Sequence, residues 1–150
     1  MAGCAVGATA ANLMYSRALV SISTKHRATG AHFFSEVVAT FGLVLVVFAL
    51  SRSGRAPSVP AAVGAYIGAA YFFTSSTSFA NPAITVGRMF SNTFAGIAPC
   101  SAPSFIAAQL LGGVVAFVVI KGVPYPDVTP AEAADVLFPH PVSEPLEQSR

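Results

Sequence analysis

The residues with the sharpest chemical profile lie in one run, Ser78-Phe79-Ala80-Asn81-Pro82-Ala83-Ile84-Thr85-Val86-Gly87-Arg88. Asn is a good helix N-cap, because its side-chain oxygen accepts from a free backbone N–H of the first turn. Pro is favoured at the next position, where its missing N–H costs nothing, and it biases the residue before it toward an extended backbone. A helix should therefore start at Pro82, with the amide of Asn81 free to point away from it. Inside a membrane such a polar end is costly unless it lines an aqueous or protein cavity. The second candidate is Glu36, a carboxylate in an apolar stretch. It either snorkels to the interface or faces inward and accepts hydrogen bonds from a loop backbone. Thr40, four residues on, shares its face. Other chemistries lack their residues. No His/Cys/Asp cluster, nucleophile–base pair or phosphate loop is visible, and Glu36 has no second carboxylate in the apolar region. An enzyme, a metal site and a bound cofactor are not expected. Cys4 and Cys100 show no metal or redox spacing and read as packing residues.

The elements that must position these residues are membrane helices. Only 9% of the 150 residues are charged and 54% are apolar, against roughly 25% charged in a soluble domain. The chain reads as an all-α integral membrane protein whose first partner is the lipid bilayer. A net charge of +2 carries no nucleic-acid signal. No basic n-region or cleavage pattern marks a secretory signal.

In chain order, residues 1–15 are Ala/Gly-rich and too short to span, since a crossing takes about 20 residues. They read either as the last part of a truncated transmembrane helix or as a frayed amphipathic N-terminus. Gly3 and Gly7 have the spacing that lets membrane helices approach closely. Residues 16–30 are a polar surface loop with Arg17, Lys25, His26 and Arg27. Residues 31–50 and 59–75 are full spans, the second carrying Gly64 and Gly68 as a packing face. Tyr66 and Tyr71 are lumen-facing or interfacial. Residues 82–94 form a half-helix of roughly 20 Å at 1.5 Å per residue, ended by Gly96 and Pro99. Residues 104–120 are the third full span, with Gln109 inside and Gly112-Gly113 as a close-approach point. Residues 123–150 are a Pro-rich, acidic, disordered tail. Basic residues do not orient the chain: Arg17, Lys25 and Arg27 stand on one side, Arg52, Arg55 and Lys121 on the other.

Two spans, a half-helix entered through a polar turn and a third span resemble the second half of the aquaporin (major intrinsic protein) family. Phe79-Ala80-Asn81-Pro82-Ala83 and Gly87 fit the family's second signature, and Glu36-Val37-Val38-Ala39-Thr40 is similar to its fourth helix. The resemblance covers roughly residues 1–122. It implies passive movement of water or small uncharged solutes such as glycerol, with Asn81, Pro82 and Ala83 at the pore turn. It also implies that Glu36 braces the loop, that the protein is multi-pass in the plasma (inner) membrane, and that the family tetramer forms. Most relatives place an Arg directly after the tripeptide, whereas this chain has Ile84. Arg88, one turn on, either reaches the pore or pairs with a carboxylate or loop carbonyls. The neighbouring filter positions fall on Ser78 and Ala69. Small residues and no Arg there imply a wider, less water-selective filter, open to glycerol, other small polyols, ammonia or an uncharged metalloid hydroxide. The family needs two facing turns and this chain carries one, so the first repeat is expected to be missing and the chain inactive without it. A first-half partner or a second copy would then complete it. The competing expectation is a small non-channel membrane subunit that packs against a partner protein.

Overall fold

A computed structural model describes residues 2–123. The helices are α1 (Ala2–Met14), α2 (Gly30–Arg52), α3 (Val59–Phe73), α4 (Pro82–Gly87) and α5 (Ala102–Gly122). Short 3₁₀ turns, Ala56–Ser58, Arg88–Phe90 and Pro99–Ser101, precede α3, follow α4 and precede α5. No strand occurs among the described residues. The fold is all-α, and three helices are long and apolar enough to cross a membrane: Gly30–Arg52, Ala56–Phe73 and Pro99–Gly122. The chain is an integral membrane protein. The expected tail lies outside the described residues, apart from Val123.

Local chemistry sets the boundaries. Thr29 caps α2, its Oγ1 accepting from the His32 N–H at 3.2 Å, and Arg52 sits in the last turn, where a cation suits the helix dipole. Pro residues occupy the first turns of α3, α4 and α5, where no amide partner is lost. The second span stops at Phe73, short of the expected residue 75. Thr74 turns extended, with its N–H and its Oγ1 both returned to the Ala70 carbonyl, at 3.0 and 2.6 Å.

The half-helix is also shorter than expected. Helix α4 and its 3₁₀ turn end at Phe90, where the sequence suggested residue 94. A longer helix would pair the carbonyls of residues 88–90 with the amides of 92–94. Those carbonyls are already taken: Arg88 O accepts from Ile97 N–H, Met89 O from Ser23 N–H, and Phe90 O from Ser21 N–H and the Asn12 side-chain amide. The loop from α1 to α2 thus lies against the end of α4 as a strand-like cover, and Ser91 turns extended beside it.

Packing is concentrated on α2. Helix α5 turns Phe105, Ala108, Gln109, Gly112 and Ala116 inward, at the spacings of one helical face. At Gly112 a Cβ would stand 2.5 Å from the Val37 carbonyl and 3.1 Å from the Thr40 Cβ. Only glycine permits that crossing. Helix α3 meets α2 through Tyr66, which covers Gly42 and donates to the Ala39 carbonyl at 2.9 Å. Gly64 and Gly68, expected as a packing face, meet nothing within 4 Å. They lie two positions from Tyr66 and Ala70, about 200° around the helix, so the contact with α2 turns them outward. Gly3 and Gly7 likewise face open space. The glycine that lets α1 approach α4 is Gly87, whose Cβ would sit 2.8 Å from that of Cys4.

Two substitutions separate these roles. Gly112→Val should cost about 1–3 kcal/mol through overpacking. Gly64→Ala should be neutral or stabilising by about 0.5–1 kcal/mol from helix propensity. Thermal unfolding in detergent compares them, and equal losses would contradict the assigned crossing.

Candidate functional site

The turn ahead of α4 is strained. Thr77, Ser78 and Ala80 are non-glycine residues with φ of 63°, 46° and 49°, a left-handed conformation costing about 1–2 kcal/mol each. Glu36 on α2 holds it. The carboxylate is fully buried. Its Oε1 accepts from the Phe79 N–H at 2.9 Å and its Oε2 from the Ala80 N–H at 3.0 Å. Hydrogen bonds to an ionised acceptor are roughly twice as strong as neutral ones. Gln109 on α5 donates to the same Oε2 at 2.8 Å and to Thr85 Oγ1 at 2.9 Å, and Thr85 Oγ1 returns to the Asn81 carbonyl at 3.1 Å. The carboxylate therefore faces inward, toward the turn and α5.

Asn81 itself is extended, at φ −157° and ψ 121°, and its Oδ1 accepts from the Ala83 N–H at 2.8 Å. Asn81 and Pro82 are exposed. The α4 N-terminus, with its partial positive charge, thus opens on a side that no described residue covers.

A second support comes from the loop expected to be a plain surface connection. Arg27 is 3% exposed. Its guanidinium donates to three carbonyls, Gly96 at 2.8 Å, Ser76 at 2.9 Å and Phe94 at 2.7 Å. It thereby ties the segment before the turn to the segment after α4. Burial, and then the nearby Arg88, hold its pKa below the usual guanidinium range, while Glu36 opposes them; the group stays charged because that range is so high. Nothing in its spacing separated Arg27 from Lys25 and His26. Gln109 did carry a signal, being an amide inside an apolar span, but its partners were not readable.

The expected filter positions do not converge on one cavity. A cavity of about 670 Å³ between α1 and α4 is lined by Ile84 and Arg88, with Cys4 and Asn12 on the α1 side. Ala69 lies on the exposed face of α3, and Ser78 is buried with its Oγ unpartnered. Arg88 Nη2 donates to the Tyr71 hydroxyl at 2.6 Å and Nη1 to the Ala95 carbonyl at 3.3 Å. Its guanidinium carbon lies 4.6 Å from the Phe79 ring centre. Among the described residues Arg88 pairs with no carboxylate, whereas a loop carbonyl and the cavity are both reached. Cys4 packs against Gly87, but Cys100 is exposed, its Sγ 3.4 Å from His26 Nδ1. It is not the packing residue expected.

Over 121 residues, 81% of its length, the chain is 46% identical to Aquaglyceroporin AqpS of Rhizobium meliloti (strain 1021). The chain belongs to the aquaporin (major intrinsic protein) family. The match takes in 52% of the relative, so the aquaporin-family chain spans about half the length of that curated protein. No family profile matches the chain. No solved structure matches it.

Glu36→Gln should leave one acceptor for two amides, removing about 1.5–3 kcal/mol of charge-assisted bonding. Hydrogen exchange at the Phe79 and Ala80 amides should then quicken by about ten- to a hundredfold, with the α2–α5 contact still protected. Arg27→Lys keeps the charge but not the three-way fork, and should lower stability by about 1–3 kcal/mol in detergent melts. A merely surface-charged residue would show no change.

Proposed function

We propose that residues 2–123 form one half of the wall of a channel for passive transmembrane movement of water and small uncharged solutes such as glycerol. One observation carries the reading: a helix too short to cross begins at Pro82, capped by Asn81, on a turn held from behind by a buried carboxylate. That arrangement aims a positive helix end and an amide donor into the membrane interior, where neutral hydrogen-bonding solutes are favoured and cations are not. The relative named an aquaglyceroporin supports the same solute class. Asn81, Pro82 and Ala83 are assigned to the pore turn, with Ile84, Ser78 and Ala69 as filter positions. An apolar Ile84 where most relatives carry a guanidinium favours a wider filter, hence glycerol and other small polyols alongside water.

A complementary wall must close the open side at Asn81. It would be supplied by the rest of a longer polypeptide, by a first-half partner or by a second copy, and the outward Gly64/Gly68 face suits contact with further protein. A homo-oligomer in the plasma membrane follows from the same reading.

Stopped-flow swelling of proteoliposomes tests it. The chain is reconstituted alone and together with the N-terminal half of an aquaglyceroporin. Glycerol and water permeability should exceed that of empty vesicles in at least the paired sample, and Asn81→Leu should abolish the excess. No added flux in either sample, with stable association of the two chains, would favour the packing-subunit reading instead.

A further inference from the structure

Helices α2 and α5 run in the same direction. His32 and Phe105 lie with ring centres 6.4 Å apart near their starts, and Gly112 meets the Val37 carbonyl and Thr40 midway. Toward their ends they part around a cleft of about 240 Å³, lined by Leu45, Phe48 and Ala49 on one side and Val119, Ile120 and Val123 on the other. Every lining residue is apolar, and Phe48 and Val119 are still exposed. Both helices are of spanning length, so these exposed side chains lie at bilayer depth. The shared direction also brings the last turns of both helices to one membrane face, and each carries a cation, Arg52 and Lys121. Arg52 follows Leu45, Phe48 and Ala49 at the spacing of one helical face. The Lys121 Nζ lies 4.9 Å from the Phe117 ring centre, its stem along apolar surface as a snorkelling lysine places it.

We infer that this cleft is a binding site for an anionic glycerophospholipid, with one acyl chain between α2 and α5 and the phosphate at Arg52 and Lys121. The two parts of the site contribute differently. A lipid chain gains little hydrophobic free energy from an apolar protein wall, because the surrounding lipid is equally apolar. The cleft therefore contributes packing and a fixed position, and charge supplies the selectivity. The two helix C-termini each carry about half a negative charge, which by itself would turn a phosphate away. Among the described residues Arg52, Arg55 and Lys121 outweigh them at this face. Each basic residue beside an anionic membrane surface is worth about a fivefold gain in affinity, and a guanidinium adds two parallel donors that match phosphate. The site is independent of the channel reading: Leu45, its nearest residue on α2, lies roughly 14 Å along the helix from Glu36 at 1.5 Å per residue.

The chain contains no Trp, so one introduced indole reports on one place. The full chain carrying Phe48→Trp is reconstituted in mixed phosphatidylcholine and phosphatidylglycerol vesicles in which one lipid or the other bears dibrominated chains. Quenching of the indole then gives the relative affinity of the two lipids. Phosphatidylglycerol should bind at least about fivefold more tightly. A second reporter, Phe72→Trp on the outward face of α3, should show no such preference. The preference should vanish when Arg52→Gln and Lys121→Gln are combined and survive Arg52→Lys. Ala49→Phe, which fills the cleft and leaves the charges in place, should also remove it; if that variant melts below its parent in detergent, Val119→Phe on the opposite wall takes its place. Equal affinities, no quenching by either lipid, the same preference at Phe72→Trp, or a preference that survives the double Gln variant or the filled cleft would overturn the proposal. So would a preference seen only after residues 124–150 are removed, which would assign the cleft to that segment. Loss of glycerol flux with the lipid preference intact would count against the channel reading alone.

Discussion

The structure depends on one buried carboxylate. Glu36 accepts the Phe79 and Ala80 amides in a turn whose backbone is left-handed at three non-glycine positions. Such a turn does not hold itself, because each of those residues is strained in isolation. Nor could the carboxylate be buried by itself, because an ionised group in low dielectric needs its lone pairs satisfied. Two backbone amides and the Gln109 amide satisfy them. Turn and charge each supply what the other lacks, and the position of Asn81 follows from both.

That arrangement needs α2 and α5 in close contact, since Glu36 and Gln109 come from different helices. Gly112 allows it by bringing α5 onto the Val37 carbonyl. Arg27 works from the far side, gathering carbonyls from residues 76, 94 and 96. The turn is thus anchored by an anion that takes its amides and a cation that takes the carbonyls around it. These opposite charges compensate across the loop without touching each other. Arg88 stands outside this exchange and is left to face the cavity.

Much of the fold could be read from the chain. Three apolar runs of spanning length, broken by polar turns and Pro residues, specify three crossing helices whatever they pack against. Asn81-Pro82 specified a capped helix start, because both residues act on neighbours one to three positions away. The cap geometry at Asn81 is that local chemistry. Glu36 and Gln109 could be marked as polar residues in apolar spans, although their partners could not be named.

What escaped the sequence was every choice made between segments distant in the chain. The end of the 3₁₀ turn after α4, at Phe90, was decided by Ser21, Ser23 and Asn12, which take its last carbonyls. The closely packed glycines, Gly42, Gly87, Gly96 and Gly112, lie in no Gly-x-x-x-Gly pair, whereas Gly64 and Gly68 form one and meet nothing, so only the tertiary packing told them apart. Arg27 looked like its neighbours until the loop folded over the turn. Composition, span lengths and the helix start at Asn81 were set by the amino-acid sequence alone, because hydrophobicity and capping are properties of residues and near neighbours. Which polar groups are buried, and which helix faces meet, was decided by the tertiary structure, because a buried donor or acceptor is tolerated only where the fold brings it a partner.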